Sequence, residues 1–204
     1  VNVDTITGGE GADQLTGGTG NDVLILTEAT AAADTVVLAD ATTNGVDTIQ
    51  GFASGTGADI VQLVLAATDD GTLTGNDAVI AGVSVALTAG AAAYATGVNV
   101  GDQDVIEITT TLSSHGDLDA TGATSGTELL KALSSTDSAA TSITTADNLA
   151  DGVYIAAYQD GDAFLYQVID DGSDNSTIIA SEINLIAIME DVAAGSLATG
   201  DFTV

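Results

Sequence analysis

Positive charge is almost absent from this chain. Its 204 residues hold one Lys/Arg residue, Lys131, against 30 Asp and Glu, a formal net charge of −29. Phosphate backbones are bound by cations, so nucleic acid is excluded as a partner. Cysteine is missing, which removes disulfides as a guide to compartment and removes thiol nucleophiles. Proline is missing too, so slow prolyl isomerisation cannot delay folding. No apolar run reaches the roughly 18 residues of a membrane span. The single histidine, His115, cannot supply a His-Glu-x-x-His zinc site, and with no second nitrogen or sulfur ligand it reads as a solvated loop residue. There is no Gly-x-Ser-x-Gly elbow, no Walker loop and no dinucleotide fingerprint. Paired carboxylates are so abundant that no chosen pair points to glycosidase chemistry. The segment reads as non-enzymatic.

What remains is apolar as well as acidic. Hydrophobic residues make up 45% of the chain, too many for a disordered acidic tail. The two properties reconcile if bound cations neutralise carboxylates while a core forms, coupling folding to metal binding. Asp outnumbers Glu four to one, and Thr, Ala, Gly and Val dominate. Short polar and β-branched side chains suit tightly turned β structure, so the chain is expected to be mainly β.

Two tandem nine-residue units stand at the N-terminal end, Gly8–Thr16 and Gly17–Ile25, both fitting G-G-x-G-x-D-x-U-x with U a large apolar residue. This pattern belongs to calcium-binding parallel β coils. Asp4, Asp13 and Asp22 are nine apart, as are Ile6, Leu15 and Leu24. A glycine pair turns the backbone through positive φ without steric cost and aims carbonyl oxygens inward, while the aspartate adds a charged oxygen. Calcium takes about six to eight oxygens, more than one turn supplies, so stacked turns must share an ion. Leu15 and Leu24 then face a dry interior. A flexible Gly/Asp-rich loop that binds nothing is the alternative for the same residues.

At these residues the chain resembles the RTX (hemolysin-type calcium-binding) family. The resemblance implies a right-handed parallel β-roll with rows of calcium ions between its turns. It makes Gly8, Gly9, Glu10, Gly11 and Asp13 one ligand turn, mostly through backbone carbonyls. Gly17, Gly18, Thr19, Gly20 and Asp22 form the next, and Asp4 is the side-chain ligand of the turn before. Val1 falls inside a repeat, and a roll needs about three or more turns. The chain is therefore expected to be a piece of a longer protein.

Beyond Ile25 the glycines fade, but Asp34-Thr-Val36 and Asp47-Thr-Ile49 repeat Asp4-Thr-Ile6 at twelve- and thirteen-residue spacing, with looser echoes at Asp59 and Asp104. Asp34, Asp47 and Asp59 are either further calcium ligands or turn formers bonded to their own backbone. Residues 47–63 look like the segment that closes RTX rolls, with Phe52 as plug. Residues 1–65 are thus expected to form roll and cap. Residues 66–150 form a β-rich continuation, with β segments over Ala78–Leu87 and Val98–Leu112, within which Asp104–Leu112 alternates as a half-buried strand does, and one short helix over 126–134 started by a Ser125/Glu128 capping box. Residues 151–204 form a C-terminal module around a hairpin turning at Asp160-Gly161, with Phe164, Tyr166 and Val168 on one face. Asp171–Glu182 imitates an EF-hand loop, although an acidic turn explains it equally. Glu182–Val192 is a strand or a short helix. The end, Gly200–Val204, looks like a type I export signal.

Two functions fit. One is a calcium-dependent structural subunit that self-assembles on the bacterial cell surface, resembling RTX-type S-layer proteins. Calcium is then both cofactor and glue, the partner is a second copy in a lattice or filament, and a cell-surface polysaccharide is a further candidate partner. The other is the calcium-folded export tail of a secreted lipase, protease or adhesin. Both place the chain outside the cell.

Overall fold

A computed structural model describes residues 2–39, 41, 43–55, 58–63, 81–83, 98–99, 105–112, 116–133, 143–144, 153–169 and 177–203. His115, Asp104 and residues 171–176 of the EF-hand-like loop lie outside them. The first six strands are short: β1 (Thr5–Thr7), β2 (Gln14–Leu15), β3 (Val23–Ile25), β4 (Thr35–Leu38), β5 (Asp47–Gln50) and β6 (Ile60–Leu63). Buried and half-buried residues alternate along β3 to β6, so one face turns inward at every pass. Successive strands alternate between two parallel ladders, β1–β3–β5 and β2–β4–β6. The register sets Ile6 beside Leu24, Leu24 beside Ile49, Leu15 beside Val36 and Val36 beside Val61. Leu15, Leu24, Val36, Ile49 and Val61 are buried between the ladders in one core.

The far end of the chain continues both ladders. After β7 (Ala81–Val83), β8 (Val98–Asn99), β9 (Val105–Thr111), helix α1 (Ser125–Leu133) and β10 (Ile143–Thr144) comes a hairpin, β11 (Val153–Gln159) and β12 (Asp162–Val168). β13 (Thr177–Ile178), β14 (Ile183–Met189) and β15 (Phe202–Thr203) complete the order. β14 lies parallel to β5, and β15 lies parallel to β6. One sheet therefore runs β1-β3-β5-β14-β12-β11-β9-β7, a second β15-β6-β4-β2, and a third β13-β10-β8. The chain is mainly β with one short helix; among the described residues no sheet closes on itself or runs on as a solenoid. Phe52 and Phe202 are buried together where the coil meets these added strands.

The hairpin turns at Asp160-Gly161, both at positive φ (55° and 104°), the geometry that matches strand twist in a two-residue loop. Phe164, Tyr166 and Val168 share a core with helix α1, while Leu165 and Ala163 face the coil. Alternate residues of one hairpin thus serve two cores. The half-buried reading of Asp104–Leu112 holds only for its second half. β8 and β9 are separate strands, and β9 is an interior strand between β7 and β11. Its first half is buried throughout, Glu107 being only 4% exposed, while Thr109 is half-buried and Thr111 exposed. The Glu107 carboxylate accepts the Tyr158 hydroxyl and the Leu197 N–H. Glu182–Val192 resolves as strand β14. The helix appears where expected, but Ser125 is not its N-cap. A 3₁₀ turn (Gly122–Thr124) precedes it, and the Ser125 hydroxyl donates to Gly122 O and Ile183 O, tying the helix to β14.

Leu24→Ala, in the middle of the coil, should cost about 2–5 kcal/mol of unfolding free energy in saturating calcium. Val3→Ala, 73% exposed, should change it by less than about 0.5 kcal/mol. Denaturant titration of the two variants checks this.

Candidate metal centre

The ladder register stacks the aspartate that opens or immediately precedes each strand. It produces two columns, Asp4–Asp22–Asp47 beside one ladder and Asp13–Asp34–Asp59 beside the other. Within each column an aspartate Oδ1 accepts the backbone N–H of the aspartate one coil earlier. The bonds are Asp4 N to Asp22 (2.7 Å), Asp22 N to Asp47 (3.0 Å), Asp13 N to Asp34 (2.9 Å) and Asp34 N to Asp59 (2.9 Å). The sequence separations are 18, 25, 21 and 25 residues, so the coil lengthens as the glycines fade while the contact persists.

The second carboxylate oxygens divide into two groups. At the far end of each column the protein supplies a donor: Asn44 Nδ2 bonds Asp47 Oδ2 at 3.0 Å, and the Ala53 N–H bonds Asp59 Oδ2 at 2.8 Å. Further back it supplies none. Oδ2 of Asp13, Asp22 and Asp34 is buried without a hydrogen-bond partner. A buried acceptor left unpaired costs about 1–3 kcal/mol, and more when charged, so such atoms point to an ion. The chain's one Lys/Arg residue does not help, since Lys131 Nζ bonds Glu128 Oε1 at 2.6 Å in the helix.

The glycines fit the same purpose. A Cβ on Gly17 would sit 2.5 Å from Asp22 Oδ2, and one on Gly8 3.3 Å from Asp13 Oδ2, so the bare backbone makes the room in which these oxygens lie. Gly9 and Gly18, the second of each pair, hold φ of 101° and 88°, a conformation costly for other residues. Gly20 N–H bonds Asn44 O across to the next coil. Gly11 N–H donates to Glu28 Oε2, and Glu10 accepts the N–H groups of Ala29 and Thr30. Two glutamates thus clasp neighbouring bends, and the Glu10 side chain is engaged with backbone amides. Asp4 and Thr19 are exposed. Asp4 reaches the column through its N–H, bonded to Asp22, and its carbonyl, bonded to Val23 N–H.

Among the described residues no three or more His, Cys, Asp or Glu side chains gather as a metal site by themselves. One carboxylate per bend with backbone carbonyls around it is what a hard, oxygen-seeking cation of high coordination number accommodates. Burial, then the charges of Asp59, Glu28 and Asp13, raises the Asp34 pKa, and burial followed by Asp22 raises that of Asp47 to about 6. Asp34 and Asp47 were signalled by their Asp-Thr-apolar echoes; Glu28 and Asn44 had no signal, because their partners lie across the coil.

Residues 3–26 match the RTX calcium-binding nonapeptide repeat family (four copies). Repeats of this kind bind calcium ions. No curated protein and no solved structure matches the chain.

Gly17→Ala should raise the calcium midpoint for folding roughly tenfold or more, since overpacking costs about 1–3 kcal/mol, and Gly8→Ala should raise it less. Calcium titration followed by circular dichroism compares them. With calcium chelated, the raised carboxylates give a definite sign. The contribution of Asp47 to stability is complete below the ordinary value of 3.8 and is lost as pH rises through about 6, and Asp34, also raised, acts in the same direction. Urea unfolding in chelator should show a more stable chain at pH 5 than at pH 7.5. In saturating calcium the order should reverse, because protons compete with the ion.

Proposed function

We propose that this chain is a calcium-folded structural segment of a secreted protein, working as a self-assembling subunit at the bacterial cell surface. The observation that carries the calcium dependence is the set of buried, unpartnered Oδ2 atoms on Asp13, Asp22 and Asp34. The alternation of β1 to β6 between two parallel ladders supports reading residues 1–65 as a β-roll with ions between its bends. The remainder, residues 66–150 and 151–204, is proposed as a β-rich extension of that roll, non-enzymatic in role. A charge of −29 makes calcium a plausible bridge between copies as well as within one, since carboxylates on facing surfaces repel until a divalent ion joins them. No helix among the described residues is long and apolar enough to cross a membrane. Weak extracellular sites bind calcium with dissociation constants of roughly 10⁻⁴–10⁻³ M, so the chain would stay open at intracellular calcium and fold outside.

A second reading is the export tail of a larger secreted protein, from the resemblance of Gly200–Val204 to a type I export signal. Phe202 is buried against the coil, and Asp201 accepts the N–H groups of Gly55 and Ala198.

Electron microscopy and sedimentation of purified protein in millimolar calcium separate the two. Sheets or fibres that dissolve in chelator are expected for the subunit; monomers throughout would leave the export tail. Asp13→Ala with Asp22→Ala should raise the calcium midpoint for folding and for assembly together.

A further inference from the structure

We propose that the bend at residues 27–34, which has lost every glycine of the repeat, holds a divalent cation of its own, with Asp34 as its buried carboxylate and Glu28 as its outer one. This rests on the calcium reading above but concerns a position outside the matched residues 3–26. A search for Gly-Gly-x-Gly-x-Asp passes over Thr27–Asp34, and only the fold puts the bend in a column.

Two observations converge there. Asp34 is 0% exposed, and its Oδ2 has no hydrogen-bond partner, while its Oδ1 is used by the Asp13 N–H. The charged groups close enough to act on it are Asp59, Glu28 and Asp13, all negative. Asp59, one coil on, shows the alternative solution: its Oδ2 is met by the Ala53 N–H. Asp34 has no such donor, and Glu28, anchored by the N–H groups of Gly11 and Ala32, brings a carboxylate where the repeat would offer glycine carbonyls. Oxygen donors and concentrated negative charge select calcium over softer ions.

The competing account is a neutral, protonated Asp34 with no ion. Asparagine imitates that state, so Asp34→Asn in the full chain decides between them. Calcium stoichiometry is measured by equilibrium dialysis on wild type, Asp34→Asn and Asp22→Asn, with circular dichroism in saturating calcium to verify the fold. The site predicts one ion fewer per chain in Asp34→Asn with the β spectrum retained. An unchanged count in Asp34→Asn, while wild type binds calcium and Asp22→Asn loses it, overturns the inference and leaves the repeat sites standing. Absence of calcium from wild type overturns the calcium reading itself. If Asp34→Asn fails to fold, Glu28→Gln takes its place: one site weakened roughly tenfold supports the proposal, and unchanged binding refutes it.

Discussion

A carboxylate buried without a countercharge is the constraint on which this structure turns. The parallel register forces aspartates to stack, and stacking satisfies one oxygen of each through the amide of the coil before it. The other oxygen of Asp13, Asp22 and Asp34 is left inside the protein. Strands of two to four residues give the coil little hydrogen-bonded length with which to offset that cost. The apolar stripe from Leu15 to Val61 favours closing the coil, and the acidic columns beside it oppose closure until a cation enters. Core and ion are therefore complementary parts of one folding equilibrium.

The columns also show how the dependence is brought to an end. Asp47 meets the Asn44 side chain, and Asp59 meets the Ala53 amide. Asp201, next to the strand that continues the second ladder, has both oxygens bonded to backbone N–H groups. Along the stack, protein donors replace the unpaired state, and the same aspartate at a strand's start changes from a site in need of an ion to a turn former. The exposed bends at the N-terminal end and the sheet built on β14 and β15 thus differ in chemistry although they share one ladder geometry.

Much of this was legible in the residues. The nine-residue period gave the glycine bends and the inward leucines, and the Asp-Thr-apolar echoes located β4 and β5 after the glycines had gone. The Asp160-Gly161 turn and its flanking aromatics gave the hairpin, and Leu129–Leu133 gave the helix. Pairings between distant segments were not legible. Nothing in Ile183–Met189 or Phe202–Thr203 says that these strands extend the ladders begun by β1 and β2, because sheet partnership is decided by shape across the core. Glu107 misled the strand reading for the same reason: alternation implies one wet face only when nothing covers it, and here Tyr158 and the backbone of Leu197 do. Ser125 was read as a cap from its spacing to Glu128, but a nearby carbonyl of β14 competes for its hydroxyl.

The central claim is that calcium supplies the countercharge without which this polyanion cannot become compact. Far-UV circular dichroism of the full chain at neutral pH, recorded in excess chelator and then through a calcium titration, tests it most directly. The account expects a largely unfolded spectrum in chelator, a cooperative gain of β signal as calcium approaches the millimolar range, and full reversal when chelator is restored. An identical β spectrum with and without calcium, unfolding at the same denaturant concentration, would contradict it.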